Sequence, residues 1–147
     1  MKIMLVCSSG GHFKALYQLQ NFWASYNRHW ITFKTPTTEL MLAEENKIWA
    51  WSPTNRHIPN LMRNLFLAWK VIRTERPDVI ITSGAGVAVP FLIIGKLSGC
   101  QTVFVESITR VHNLSLSAKI ALPFLNVIYV HWLPLQQRYR KAKMIVQ

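Results

Sequence analysis

Short apolar and β-branched runs alternate along the chain with longer stretches whose apolar positions recur at helical spacing. The pattern predicts strands near Lys2–Val6, Trp30–Lys34, Lys47–Trp51, Val79–Thr82, Thr102–Val105 and Val127–Val130. Helices are predicted between them, near 11–25, 37–45, 58–74, 85–98, 114–122 and 133–141. This is the βαβ signature of an α/β protein, a Rossmann-like doubly wound parallel sheet with helices on both faces. In ERPDVIITSG, Pro77 ends a helix and Asp78 leads into a buried strand that stops at Ser83-Gly84. No repeat, low-complexity tract or linker interrupts residues 1–147, so one domain is expected. Such sheets bind ligands outside the carboxyl ends of their strands, which directs attention to the loops that follow them.

Composition narrows the partners. The chain has 147 residues, 50% apolar and 12% aromatic, enough for one core and some apolar surface left to meet a partner or a membrane. Seventeen Lys and Arg against six Asp and Glu give a net charge of +11, a field that attracts phosphates, nucleic acid or anionic lipid alike. Cys7 and Cys100 have no metal-ligand spacing; they read as small core residues suited to a reducing cytoplasm, and no metal or cofactor is expected. The opening MKIMLV is too short for a signal-peptide apolar region or an anchor, so the chain is expected to begin inside the fold. Val87 to Leu97, the most apolar window, is broken by Pro90, Gly95 and Lys96 and is too short to span a bilayer. Any membrane contact is therefore expected to be peripheral.

The first strand runs into Cys7-Ser8-Ser9-Gly10-Gly11-His12. Glycines let backbone N–H groups approach a ligand, the following helix points its positive end there, and Ser8 and Ser9 add hydroxyls, so an anion is a natural occupant. The alternative is a tight strand-to-helix turn with His12 facing solvent. Better-known loop chemistries fail. A dinucleotide fingerprint needs G-x-G-x-x-G and an acidic residue about 20 further on, but the second strand ends in Phe33-Lys34-Thr35. A P-loop needs Lys directly after its last glycine, and a cysteine phosphatase loop needs an Arg a few residues after Cys7; neither is present.

The fourth strand closes in TSGAGVAVP, where Ser83, Gly84 and Gly86 repeat the chemistry of the first loop, or else serve close helix-on-strand packing. The first and fourth strands of a doubly wound sheet are neighbours at the switch point, so the two loops would face one crevice. After the fifth strand comes Glu106, the sole acidic residue beyond Asp78: a sugar or general-base contact, or the partner of Arg110. His112 fits a loop or cap. Along 58–74, Leu61, Met62, Leu65, Phe66, Trp69 and Ile72 recur at helical spacing, flanked by Arg56, Arg63, Lys70, Arg73 and Arg76. That pattern suits a basic amphipathic membrane-surface helix, with Arg63, Phe66, Trp69 and Lys70 as contacts, and equally a core-facing helix with a solvated back. Arg138, Arg140, Lys141 and Lys143 form a second basic cluster.

Four stretches carry a resemblance: VCSSGGH, DVIITSGAGVAVP, FVESITRV and VHWLPLQQRYRKA. In order and spacing they are similar to the acceptor-binding subunits of split glycosyltransferases. These include the membrane-associated subunit that helps add the second N-acetylglucosamine to dolichol diphosphate, and related capsule and exopolysaccharide proteins. The same loops resemble the amino-terminal domain of the transferase that forms lipid II. The resemblance implies the amino-terminal half of a GT-B fold, inactive without a separate donor-binding chain that holds most of the nucleotide-sugar. The acceptor would be a polyprenyl-diphosphate-linked saccharide, bound on the cytoplasmic face of the cell membrane against its anionic surface. Ser8, Ser9, Gly10, Gly11, Ser83, Gly84 and Gly86 would line the acceptor and phosphate cleft. His12, with Glu106 as rival, would position the acceptor or act as base. Two features depart from the pattern: His131 precedes Trp132 where Gln is usual, and the chain ends MIVQ without the usual glycine. Relatives in eukaryotes usually begin with a membrane anchor, so the absence of one here points to the bacterial type. The competing classes are a basic nucleic-acid-binding module, for which no RNA-binding signature appears, and a stand-alone enzyme on a phosphorylated small molecule.

Overall fold

A computed structural model describes residues 1–54 and 57–145; Arg56 and the last two residues of MIVQ lie outside that range. Seven parallel strands form one sheet in the order β3-β2-β1-β4-β5-β6-β7. They are β1 Lys2–Cys7, β2 Asn27–Thr32, β3 Lys47–Trp49, β4 Val79–Gly84, β5 Gln101–Val105, β6 Val127–Val130 and β7 Ala142–Met144. The helices are α1 Gly11–Tyr17, α2 Gln20–Trp23, α3 Pro36–Met41, α4 Ile58–Glu75, α5 Ala88–Leu97, α6 Leu116–Ala121 and α7 Leu133–Arg138. The doubly wound α/β class is as expected.

Strand alternation divides the core between the two faces of the sheet. Ile3, Leu5 and Cys7 pack with Phe13, Leu16, Trp23 and Trp30 on the α1–α2 side. Met4, Val6, Ile80, Phe104 and Ile128 pack with α4, α5 and α6 on the other. Cys7 is fully buried, and desolvation pushes its thiol up to about 12. Burial, and then Asp78, raise the Cys100 thiol.

Four boundaries differ from the sequence pattern, each for a physical reason. The predicted 11–25 helix breaks after Tyr17, where the Leu16 carbonyl accepts the Leu19 N–H and the Trp23 indole, each at 3.1 Å, and α2 restarts at Gln20. β2 begins at Asn27 and not Trp30, because its polar start pairs with β1 from Lys2↔Asn27 onward. Thr35 caps α3 by accepting from Thr38 N–H at 3.1 Å, and that helix ends at Met41. β7 replaces the end of the predicted 133–141 helix, since Ala142 pairs with Ile128 along the edge of the sheet.

The chain steps from β1 outward to β2 and β3, then returns to place β4 on the other side of β1. That reversal leaves a crevice above the carboxyl ends of β1 and β4. Ser8 N–H donates to Gly84 O at 3.0 Å and ties the two loops edge to edge.

Candidate functional site

Above these carboxyl ends lies a cleft of about 1340 Å³. Ser8, Ser9 and His12 reach it from β1, Lys34 from β2, His57 from beyond β3, Gly84 to Gly86 from β4, and Glu106 and Arg110 from β5. The loops after β1 and β4 thus share one hollow.

His12 stands in the first turn of α1, with Nδ1 2.8 Å from the Ser83 carbonyl. A carbonyl only accepts, so the proton resides on Nδ1 and Nε2 carries the lone pair. Nε2 has no hydrogen-bond partner among the described residues. The Ser83 hydroxyl returns a bond to the His12 carbonyl, so loop and helix hold each other. Gly84 completes the seat. Its φ is +107°, and a Cβ there would stand 3.1 Å from both Cε1 and Nδ1 of the His12 ring.

Not every expected residue faces the cleft. Gly10 adopts φ +81° to turn the chain into α1; it and Gly11 are exposed, with open space where a Cβ would go, and neither lines the hollow. The glycine pair serves the tight turn, and the neighbouring Ser8, Ser9 and His12 face the ligand space. Ser83 is buried, its hydroxyl committed to His12. In the second loop Ala85 and Gly86 line the cleft just before the ten-residue α5, and their amides donate to nothing among the described residues, as an anion site requires.

Glu106 is 2% exposed and makes no ion pair with Arg110, contrary to that alternative. Oε1 accepts from Ser107 N–H at 2.9 Å, while Oε2 accepts from Ser115 N–H at 2.8 Å and Ser115 Oγ at 2.9 Å. Ser115 Oγ also caps α6 by accepting from Ala118 N–H. The carboxylate is therefore a latch that closes the loop between β5 and α6 and sets where Arg110 projects. His112 is exposed on that loop and does not line the cleft.

The cleft's cations are Lys34, 3.6 Å from Glu39, and Arg110, which has no ion pair among the described residues. Neither stands out in the sequence as a ligand contact beyond its position after a strand's carboxyl end. Apolar side chains edge the opening: Ile58 and Leu61 of α4 on one side, Leu116 and Ile120 of α6 on the other, all exposed.

α4 is apolar on two faces. Ala68, Val71 and Ile72 join the core beneath it, Asn60 and Asn64 are buried against the Pro53 and Trp51 backbone of the preceding loop, and Leu61, Met62, Phe66 and Trp69 face solvent, Phe66 at 72% exposure. Arg63 lies over the Trp51 ring and Arg73 over the Trp69 ring, each at 5.1 Å, and Lys70 is exposed. No helix among the described residues is long and apolar enough to cross a membrane. Among them, no three His, Cys, Asp or Glu side chains gather as a metal-binding group.

Sheet order and cleft position define the class first: a Rossmann-like α/β domain of the kind found in GT-B proteins. MurG from Acinetobacter baumannii superposes on 97% of this chain and 45% of its own with a TM-score of 0.74 at 15% identity. UDP-GlcNAc 2-epimerase from Methanocaldococcus jannaschii superposes on 99% of this chain and 45% of its own with a TM-score of 0.76 at 14% identity. MurG and an epimerase share the fold, which alone does not choose a chemistry. The sequence does place the family. Residues 51–146 match the family described as "Oligosaccharide biosynthesis protein Alg14 like", and the chain belongs to it. The UDP-N-acetylglucosamine transferase subunit alg14 of Schizosaccharomyces pombe is 39% identical over 74 residues, 47% of this chain and 35% of that relative. The chain thus matches well under half of that relative's length.

Proposed function

We propose that this chain is the acceptor-binding subunit of a two-chain glycosyltransferase, taking a polyprenyl-diphosphate-linked saccharide while a separate subunit holds the nucleotide-sugar. One observation carries it: an anion-ready floor opens directly between two exposed apolar edges. The Ala85 and Gly86 amides with Lys34 and Arg110 suit a diphosphate, and Ile58, Leu61, Leu116 and Ile120 suit the prenyl chain beside it. The one carboxylate in the cleft, Glu106, already accepts three hydrogen bonds from its own loop. Relatives named as transferase subunits support the need for a second chain.

In this reading the acceptor hydroxyl attacks the anomeric carbon of the nucleotide-sugar, and the glycosidic C–O bond forms as the nucleoside diphosphate leaves. His12 Nε2 takes the hydroxyl proton, and the Nδ1–H bond to the Ser83 carbonyl steadies the resulting imidazolium. The leaving diphosphate is stabilised by the partner chain. The solvent-facing stripe of α4, with Phe66 and Trp69 between Arg63 and Lys70, rests on the anionic cytoplasmic face of the membrane. Each basic residue there contributes about 1 kcal/mol.

The test is co-expression with the adjacent reading frame, followed by transfer to a polyprenyl-diphosphate sugar from a panel of nucleotide-sugars. Transfer should require both chains, and His12→Ala should lower it by about a hundredfold or more while the complex still assembles. Full turnover by this chain alone, or an unimpaired His12→Ala complex, overturns the proposal. Salt-sensitive polynucleotide binding without transfer would favour the nucleic-acid alternative.

A further inference from the structure

His57 enters the cleft from the start of α4. It is the N-cap of the 18-residue α4: its Nδ1 accepts the Asn60 N–H at 3.2 Å. A backbone N–H only donates, so Nδ1 must carry the lone pair, and the neutral ring holds its proton on Nε2. That is the reverse of His12, whose Nδ1 faces a carbonyl. Both rings line the same cleft. One therefore presents an acceptor nitrogen to the ligand space and the other a donor.

The His57 ring is also braced. Asn60, 3% exposed, donates from Nδ2 to the Pro53 carbonyl at 2.7 Å and accepts from Arg63 Nη1 at 2.9 Å, fixing the cap against the β3–α4 loop. Lys34 enters the cleft from the end of β2, the strand next to β3. This wall carries an N–H donor and a cation, the latter 3.6 Å from the surface-exposed Glu39. A phosphoryl group is the ligand that this pairing recognises.

We propose that His57 donates its Nε2–H to a phosphoryl oxygen of the acceptor's diphosphate, so that two histidines of opposite tautomer divide binding and proton transfer across one cleft. The inference rests on the acceptor reading above. A diphosphate could belong to the acceptor or to the departing nucleotide, and the kinetic arm below separates them.

Long-range ¹H–¹⁵N correlation spectra of the full chain with ¹⁵N-labelled histidine, recorded above the ordinary imidazole pKa of about 6.5, report each ring's tautomer. His12 should appear protonated on Nδ1 and His57 on Nε2, assigned by loss of signals in single variants. Inorganic pyrophosphate should shift the His57 ring resonances. His57→Asn keeps an N-cap acceptor but does not reach the cleft; it should bind pyrophosphate about tenfold more weakly with an unchanged melting temperature. In the assembled two-chain complex, the same variant should raise the acceptor KM about tenfold and leave kcat and the nucleotide-sugar KM unchanged. His57→Ala loses cap and donor together and should also melt lower. The proposal is overturned if His57 is protonated on Nδ1, if His57→Asn binds pyrophosphate like the parent, or if only the nucleotide-sugar KM rises. A complex that binds pyrophosphate through His57 yet transfers nothing to a lipid diphosphate would instead sink the acceptor reading and leave the ring's donor role standing.

Discussion

Replacing Glu106 by Gln separates two roles that the sequence leaves open for this carboxylate. In the structure its two oxygens accept three donors: Ser107 N–H, Ser115 N–H and Ser115 Oγ. Gln supplies one accepting oxygen and one donating NH₂. Keeping the oxygen on the Ser115 pair turns the NH₂ toward Ser107 N–H, so a charge-assisted bond is lost and two donors meet in a buried site. Such a loss costs about 2–3 kcal/mol, which for a domain of this size lowers the melting temperature by about 4–12 °C. Thermal unfolding by circular dichroism measures that drop, and amide exchange should quicken at residues 107–115 as the latch loosens. Ser115→Ala removes the α6 cap and one of the same bonds, and should destabilise by about 2 kcal/mol. Transfer by either variant complex should fall only as far as the loop carrying Arg110 is displaced. A general base would behave differently: its amide variant would fold with near-parental stability and lose about 10²–10⁴ in rate. Glu106→Gln melting within about 2 °C of the parent with transfer abolished would refute the latch and restore Glu106 as the base.

Gly84→Ala should damage both fold and site. Alanine at φ +107° costs about 1–3 kcal/mol, and its Cβ would press on the His12 ring at 3.1 Å. Transfer should fall steeply, whereas Gly10→Ala, also at positive φ but with open space around it, should lower stability and spare transfer; equal activity in both variants would show that Gly84 does not seat His12. A Phe66→Ser/Trp69→Ser double variant should lose co-sedimentation with anionic vesicles while keeping transfer to a detergent-solubilised acceptor, because both side chains face solvent and neither lines the cleft. Unchanged vesicle binding would remove α4 from the membrane contact.

The central strands were legible because both of their faces are covered: β1 carries the apolar run Ile3–Val6, β4 opens on Val79-Ile80-Ile81, and both contribute almost wholly buried residues. Elements set by a single tertiary bond were not. Nothing local announces that the Leu16 carbonyl will accept the Leu19 N–H and the Trp23 indole where the helix breaks, or that β7 will add to the edge by pairing with β6. The site divides in the same way. Strand-end position located Ser8, His12, Gly84 and Glu106 in one cleft, because the switch-point rule depends on strand order alone. What each group does there depends on partners far along the chain. Glu106 is a latch because Ser115, nine residues on, closes over it. A histidine in a sequence is only a ring with two nitrogens. His12 becomes an acceptor toward the cleft because a carbonyl 71 residues away accepts its Nδ1–H, and His57 a donor because an amide three residues on requires its lone pair. Sequence can place imidazoles beside a ligand, but only the folded backbone decides which of them holds the proton.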